Sequence, residues 1–399
     1  MAHVPELDGI RGVAVAGVML MHFVGAIPAT NLLERIVTKM VSYGNWGVDL
    51  FFVLSGFLIT GILVDSKGSS GYLRNFYMRR SLRIFPLYYG VLFLLFVVIP
   101  DSALRAFDPQ LLEMKHLQGW MWSYLTNFYL GSETSWSIPY ISHFWSLAIE
   151  EHFYLVWPFV IMLLSRESAM RLCVLLAFVS FGLRIAFEST APDLLYAQTL
   201  TSCRLDALCI GSWFALSGRG ENALDMSGAR RWLGFAAAGV VALSLWHIFS
   251  NSGEVVVLSL KNSAVAVLFG VFIYLMAQNS GFALARAGLK AGWIRNLGKY
   301  SYGLYVYHGI VSYAIFRHPP VLFYQMIGSH TVAALLQVTF GIAVSLALAV
   351  LSYELYESRF LRLKRFFDHA PAAAPVPQPV HVVSSGVQEH SLAELVSRP

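Results

Sequence analysis

The sequence predicts an all-α fold: a polytopic integral membrane protein of about ten transmembrane helices. Three observations carry that expectation. The 399 residues are 57% hydrophobic and only 13% charged, with mean hydropathy +0.60, whereas soluble domains are about 25% charged. Such a chain has too few polar groups to cover a soluble globule. Apolar stretches long enough to cross a bilayer, about 17–25 residues, recur along the chain. The basic residues between them alternate in density from loop to loop.

Taken in order, the predicted spans are 9–27, 46–64, 84–100, 144–164, 171–188, 204–218, 232–250, 262–279, 300–317 and 332–354. One set of loops holds eighteen Lys and Arg residues, among them Arg74, Arg79, Arg80, Arg83, Arg219, Lys290 and Lys364. The intervening set holds seven, Arg35 to Arg317. Cytoplasmic loops carry the Lys/Arg excess, so the richer set faces the cytoplasm and both termini are cytoplasmic, in an integral plasma (inner) membrane. The net charge of +5 follows from this topology and implies no nucleic-acid partner. Cys173, Cys203 and Cys209 lie in or beside apolar segments without CxxC spacing, so neither disulfides nor a zinc site is implied. A transmembrane domain is expected over 1–365 and a disordered, Pro- and Ala-rich cytoplasmic tail over 366–399. The N-terminus does not read as a signal peptide, because it lacks a basic flank and Arg11 and His22 interrupt its apolar run.

Those two residues are the leading functional signal. Ionisable side chains inside a span are costly and mark functional sites by default. Arg11 and His22 are close to three helical turns apart, so they share a face and sit roughly 16 Å apart along the axis. Topology converts other positions into depths. Asp49 opens the second span, Glu150 and Glu151 lie about six residues into the fourth, and Arg204 and Asp206 open the sixth, all in the outer third with His22. A histidine beside a carboxylate is the usual general-base arrangement. Glu150 and Glu151 point about 100° apart, so one is expected to face the histidine, and Glu151 is the choice. Asp49 also suits a helix-start acid.

At the inner end, YLRNFYMRRSLRIFPLYY places Arg79, Arg80 and Arg83 at adjacent and i, i+3/i+4 positions, with Arg11 at similar depth. Arginine is the preferred side chain for phosphate, and this cluster exceeds what topology requires. No Gly-rich phosphate loop is present. The outer segment from Asp101 to His143 is rich in Trp and Tyr, which fits interfacial aromatics or a substrate platform.

These strings resemble the membrane-bound acyltransferase-3 family, whose members move acyl groups onto cell-surface sugars and related acceptors. The matching strings are LDGIRGVAVAGVMLMHF, WGVDLFFVLSGFLITGIL, FYMRRSLRIFPLYY, FWSLAIEEHFYLVWPF, RLDALCIGSW and LGKYSYGLYVYHGIV, in family order across roughly residues 5–315. The resemblance implies His22 as the catalytic histidine and Arg11 as its partner. It implies Arg79, Arg80 and Arg83 as the motif associated with the acyl-CoA donor, and Glu150 and Glu151 as an acidic pair. His308 matches a family histidine without an assigned role. The expected form is the stand-alone one, without an appended esterase-like domain. The implied reaction transfers an acyl group, acetyl by family default, from cytoplasmic acyl-CoA to a hydroxyl of a carbohydrate or lipid-linked glycan at the outer side. No tightly bound cofactor or metal is expected, and membrane lipid surrounds the chain. Direct transfer needs only a general base; Ser55 and Ser146 are the possible nucleophiles of an acyl-enzyme but suit helix packing. The alternative class is a polytopic transporter or flippase of a polar substrate, for which inverted repeats and Gly/Pro-broken helix pairs are the usual signs; the sequence shows neither.

Overall fold

The computed structural model describes residues 4–220, 223–249, 254–317 and 327–367. Among them there is helix and no strand, as the periodicity of long apolar runs demands. In lipid the backbone must satisfy its own hydrogen bonds, and helices do so within each segment.

The main helices are α1 (Pro5–Gly25), α2 (Leu32–Ser42), α3 (Trp46–Ser66), α4 (Tyr72–Phe93), α5 (Phe144–Leu163), α6 (Arg166–Thr190), α7 (Thr201–Ser217), α8 (Met226–Phe249), α9 (Glu254–Ala277), α10 (Gly292–Lys299), α11 (Ser301–Arg317) and α12 (His330–Ser352). Seven helical stretches are long and apolar enough to cross a membrane: Pro5–Gly25, Leu32–Ser66, Tyr72–Val98, Phe144–Leu163, Arg166–Thr190, Val255–Ala277 and His330–Phe367. Helices also occupy the remaining expected spans, as α7, α8 and α11. The 17 residues of α7 and of α11 reach only about 26 Å, short of a hydrocarbon core of roughly 30 Å. The tail expected to be disordered lies outside the described residues from 368 onward, and 366 and 367 close the helical turn Leu363–Phe367.

The loops expected on one side do meet at one end. There Lys67 Nζ donates to the Leu164 carbonyl (2.8 Å), Arg219 pairs with Asp65 (3.0 Å), Arg166 donates to the Leu216 carbonyl (3.0 Å), and Lys299 pairs with Glu354 (3.0 Å). At the opposite end Thr331 donates to Glu34 (2.6 Å), Asn127 to the Thr199 carbonyl (3.2 Å), and Arg317 pairs with Asp108 (3.4 Å). The alternation read from Lys/Arg density is therefore a real alternation of loops, and the first end is the basic one.

Small residues set the closest helix approaches. A Cβ at Gly56 of α3 would overlap the Leu208 backbone of α7, and one at Gly211 of α7 would overlap Val53. Without a hydrophobic force between helices in lipid, such close backbone packing supplies association. Helix α1 is threaded between α3, α10, α11 and α12, which brings its polar face into the protein interior. Pro86 in α4 and Pro158 in α5 each remove a helix donor. Neighbouring tyrosines serve carbonyls around them: Tyr302 donates to Ile84 (2.7 Å), Tyr356 to Pro86 (3.2 Å), Tyr77 to Leu155 (2.8 Å) and Tyr72 to Pro158 (3.1 Å).

The aromatic segment 101–143 folds into a cap of short helices, Asp101–Phe107, Gln110–His116, Gln118–Trp122 and Thr126–Gly131. Its aromatics divide into buried packing residues and exposed ones. Tyr124 stacks on Tyr88 of α4 with centroids 4.1 Å apart, and Tyr140 donates to the buried Asp108 (2.8 Å), while Trp120 and Trp136 are exposed.

Candidate active site

Between α1, α3, α4, α5 and α11 lies a cavity. Its polar lining is graded along its length. Arg11 of α1 and Arg80 and Arg83 of α4 lie toward the basic end. Glu150, Glu151 and Tyr154 of α5 and Ser55 of α3 come next, and Ser146 of α5 with Tyr305 of α11 close the far end. The residues from Tyr154 back to Ser146 span two turns and more of α5, about 12 Å.

Helix α4 begins at Tyr72, twelve residues before the span expected from hydropathy, because its first three turns are polar and basic. Gly71, at φ 76°, starts it. The expected cytoplasmic cluster thus sits on a rigid helix. Arg80 lies over the rings of Tyr154 (5.5 Å) and Phe76 (6.0 Å); Arg11 pairs with Asp8 at 3.1 Å. Such cation–ring contacts hold a guanidinium while leaving its edge free to donate.

Both carboxylates of the Glu150–Glu151 pair line this cavity, where one had been expected to. A cavity wider than one side chain accommodates the arc between them. They differ instead in their partners. Glu150 lies beside Ser55 and Tyr154, which bond each other. Glu151 keeps one buried oxygen without a partner among the described residues.

His22 lies beyond the Ser146–Tyr305 end. Its ring meets His308 at 4.9 Å between centroids, and His308 meets His143 at 5.0 Å. His22 Nδ1 is 2.9 Å from the Val18 carbonyl. A carbonyl only accepts, so the neutral ring carries its proton on Nδ1 and its lone pair on Nε2. His308 Nδ1 lies 2.7 Å from the Tyr305 carbonyl, which likewise leaves Nε2 as acceptor, buried and without a partner among the described residues. His143 Nε2 lies 3.2 Å from the Val306 carbonyl. This three-histidine array was not foreseen, apart from His22 and an unassigned His308. His143 precedes α5 by one residue, and its only signal was proximity to the SLAIEE string.

Among the described residues, the partners of His22 include no carboxylate. Glu150 lies seven residues past His143, about 10 Å deeper along α5. Counting residues from a span's start placed the acids and the histidine at one depth, whereas side-chain contacts place His143 there. Asp49 is also directed elsewhere. It bonds Arg204, and Arg184 pairs with Asp206 at 2.7 Å while donating to Ser263 (2.6 Å). This buried ion network ties α3, α6, α7 and α9 together behind the cavity.

A helical membrane protein with a basic-to-acidic cavity ending at a histidine array is the class these elements define. The acyltransferase-3 family, an acyltransferase domain, matches residues 4–354, and the chain belongs to it. The O-acetyltransferase OatA of Staphylococcus aureus strains NCTC 8325 and COL is 29% identical over 330 residues, covering 77% of this chain and 50% of the relative. A second S. aureus protein, provisionally named an O-acetyltransferase, is 25% identical over 392 residues, covering 90% of this chain and 58% of its own length. The chain thus spans about half the length of the curated relatives it matches. No solved structure matches it.

Proposed function

We propose that this chain transfers an acyl group, acetyl by likeness to its relatives, from cytoplasmic acyl-CoA to a hydroxyl of a glycan or related acceptor across the membrane. The observation that carries the reading is the single cavity joining the arginines of α1 and α4 to the wall behind which His22 stands. Coenzyme A bears its phosphates at one end and its thioester at the other end of a long thin arm. Arg79, Arg80 and Arg83 suit the phosphates by bidentate donation. The arm lies along the cavity, and the roughly 16 Å between Arg11 and His22 suits its reach. The basic end then faces the cytoplasm, in keeping with the Lys/Arg excess.

In the reaction His22 Nε2 takes the proton of the acceptor hydroxyl. The oxygen attacks the thioester carbonyl, the new C–O bond forms, and the C–S bond breaks. The leaving thiolate receives the proton from the imidazolium. Donation from His22 Nδ1 to Val18 fixes the ring in the tautomer this step requires.

Sided proteoliposomes test the reading. Acetyl-CoA on the basic-end side acetylates an oligosaccharide acceptor on the other side, and His22→Ala lowers that rate by about 10²–10⁴-fold while acetyl-CoA binding persists. Full transfer by the folded His22→Ala protein refutes the general base. A requirement for both substrates on one side refutes the transmembrane path.

A further inference from the structure

Below the main cavity lies a second one, lined by Ile62, Phe76, Arg79, Arg80, Arg83 and Lys364. Arg80 and Arg83 line both cavities, so the two meet at those guanidiniums. Lys364 comes from the helical turn Leu363–Phe367, past the last apolar helix, and sequence reading counted it only as a topology signal. That turn packs on α4: Arg79 Nη1 donates to the Lys364 carbonyl (3.4 Å), and the Arg74 guanidinium lies over the Phe367 ring (5.4 Å).

Several other cations of this end are paired with acids. Arg219 pairs with Asp65, Arg286 and Lys290 share Glu6, and Lys299 pairs with Glu354. Among the described residues Arg80, Arg83 and Lys364 form no ion pair. The residues lining the hollow include four cations and no acidic side chain, and half-buried cations crowded together repel. A bound polyanion offsets that repulsion.

We propose that Lys364 completes, with Arg79, Arg80 and Arg83, a polyphosphate subsite for the nucleotide end of the acyl donor, distinct from the cavity that takes its arm. This rests on acyl-CoA being the donor. The turn Leu363–Phe367 is then part of the substrate site, and the C-terminal end of the domain is tied to donor binding. The arginines give forked, directional donors, and the lysine adds a compact charge on a flexible stem. Inner-leaflet lipid phosphates share this chemistry, and the experiment separates the two sources.

The test measures binding of acetyl-CoA and of acetyl-dephospho-CoA to the full chain in nanodiscs of neutral lipid and of anionic lipid. Wild type, Lys364→Ala and Lys364→Arg are compared, with melting temperature as the folding check. The inference expects Lys364→Ala to weaken acetyl-CoA binding about tenfold, the scale of one charge-assisted contact. It also expects a narrower preference over acetyl-dephospho-CoA, and recovery of most affinity in Lys364→Arg. Unchanged affinity and preference in folded Lys364→Ala overturn it. So does an effect of Lys364→Ala seen only as a lost response to anionic lipid, which assigns the subsite to headgroups. If wild type binds no acetyl-CoA in either lipid, the donor reading itself fails.

Discussion

Ser146 of α5 and Tyr305 of α11 share a hydrogen bond of 2.5 Å at the end of the cavity nearest the histidines. Both hydroxyls also reach the His143 carbonyl, at 3.2 and 3.1 Å. The Tyr305 ring stands 5.3 Å from His308 and 5.5 Å from His143 between centroids. This pair is thus the partition between the acidic cavity and the three-histidine array. Ser146 spends its hydroxyl on that partition, which favours a positioning role over that of a nucleophile. The reading agrees with direct transfer, in which no acyl-enzyme forms.

Glu150 and Glu151 should separate stability from function. Glu150 sits beside the Ser55 and Tyr154 hydroxyls, so Glu150→Gln removes an acceptor from polar neighbours and should destabilise by about 1–3 kcal/mol. Glu151 keeps a buried oxygen unpartnered. A buried carboxyl oxygen without a bond gives the substitution nothing to break, so Glu151→Gln should leave the melting temperature nearly unchanged. If that carboxyl serves the reaction beside Arg80, the same variant lowers kcat. Thermal melts and acyl-transfer kinetics on both variants decide this. Equal melting shifts of the same sign would refute the difference in partnering.

The ion pair Asp49–Arg204 should prove structural. Asp49 is 7% exposed and Arg204 8%, so removing one partner strands the other charge. Asp49→Ala should cost about 3–5 kcal/mol, and replacing both by well-packed apolar residues should be near neutral. Asp49→Leu with Arg204→Met should therefore melt near wild type and keep acyl transfer. A folded double variant without activity would restore Asp49 to the catalytic set.

What was legible in the sequence follows from which forces are local. Span positions and loop alternation depend on hydropathy and on Lys/Arg counts, both readable along the chain, and the helices fall where they were expected. The start of α4 was missed by twelve residues because hydropathy does not detect a polar helix that projects beyond its apolar stretch. Arg11, Glu150 and Glu151 were identified by the cost of charge in a span, Arg80 and Arg83 by an arginine density beyond what topology requires, and all five line one cavity. Which charges pair was not legible. Asp49 and Arg204 are 155 positions apart, and only the close approach of α3 and α7 at Gly56 and Gly211 brings them together. His143 carried no periodic or charge signal, and its place beside His308 depends on a glycine in another helix.

That glycine gives the last prediction. Gly309 of α11 lies against the His143 imidazole, and a Cβ there would overlap the ring. The obstacle is a whole aromatic ring that is itself held, with Nε2 on the Val306 carbonyl at 3.2 Å. It cannot swing aside as the end of a flexible side chain would. Gly309→Ala should therefore push His143 off its bond and disturb its packing on His308, 5.0 Å away between centroids. Overpacking of this kind costs about 1–3 kcal/mol, which a many-helix protein survives. The arginines and Lys364 lie at the other end of the cavity and should be untouched. The expected result is normal insertion, acetyl-CoA affinity within about twofold of wild type, and a kcat lower by about 10- to 100-fold, since small misplacements of catalytic geometry are costly in rate. Gly309→Ala paired with His143→Ala removes the clash together with the ring. If the double variant recovers rate, His143 serves only to fill space; if it stays slow, the His143 ring is needed to hold His308 and His22 in place. An unchanged kcat in Gly309→Ala would show that the array tolerates displacement and has no positional part in transfer.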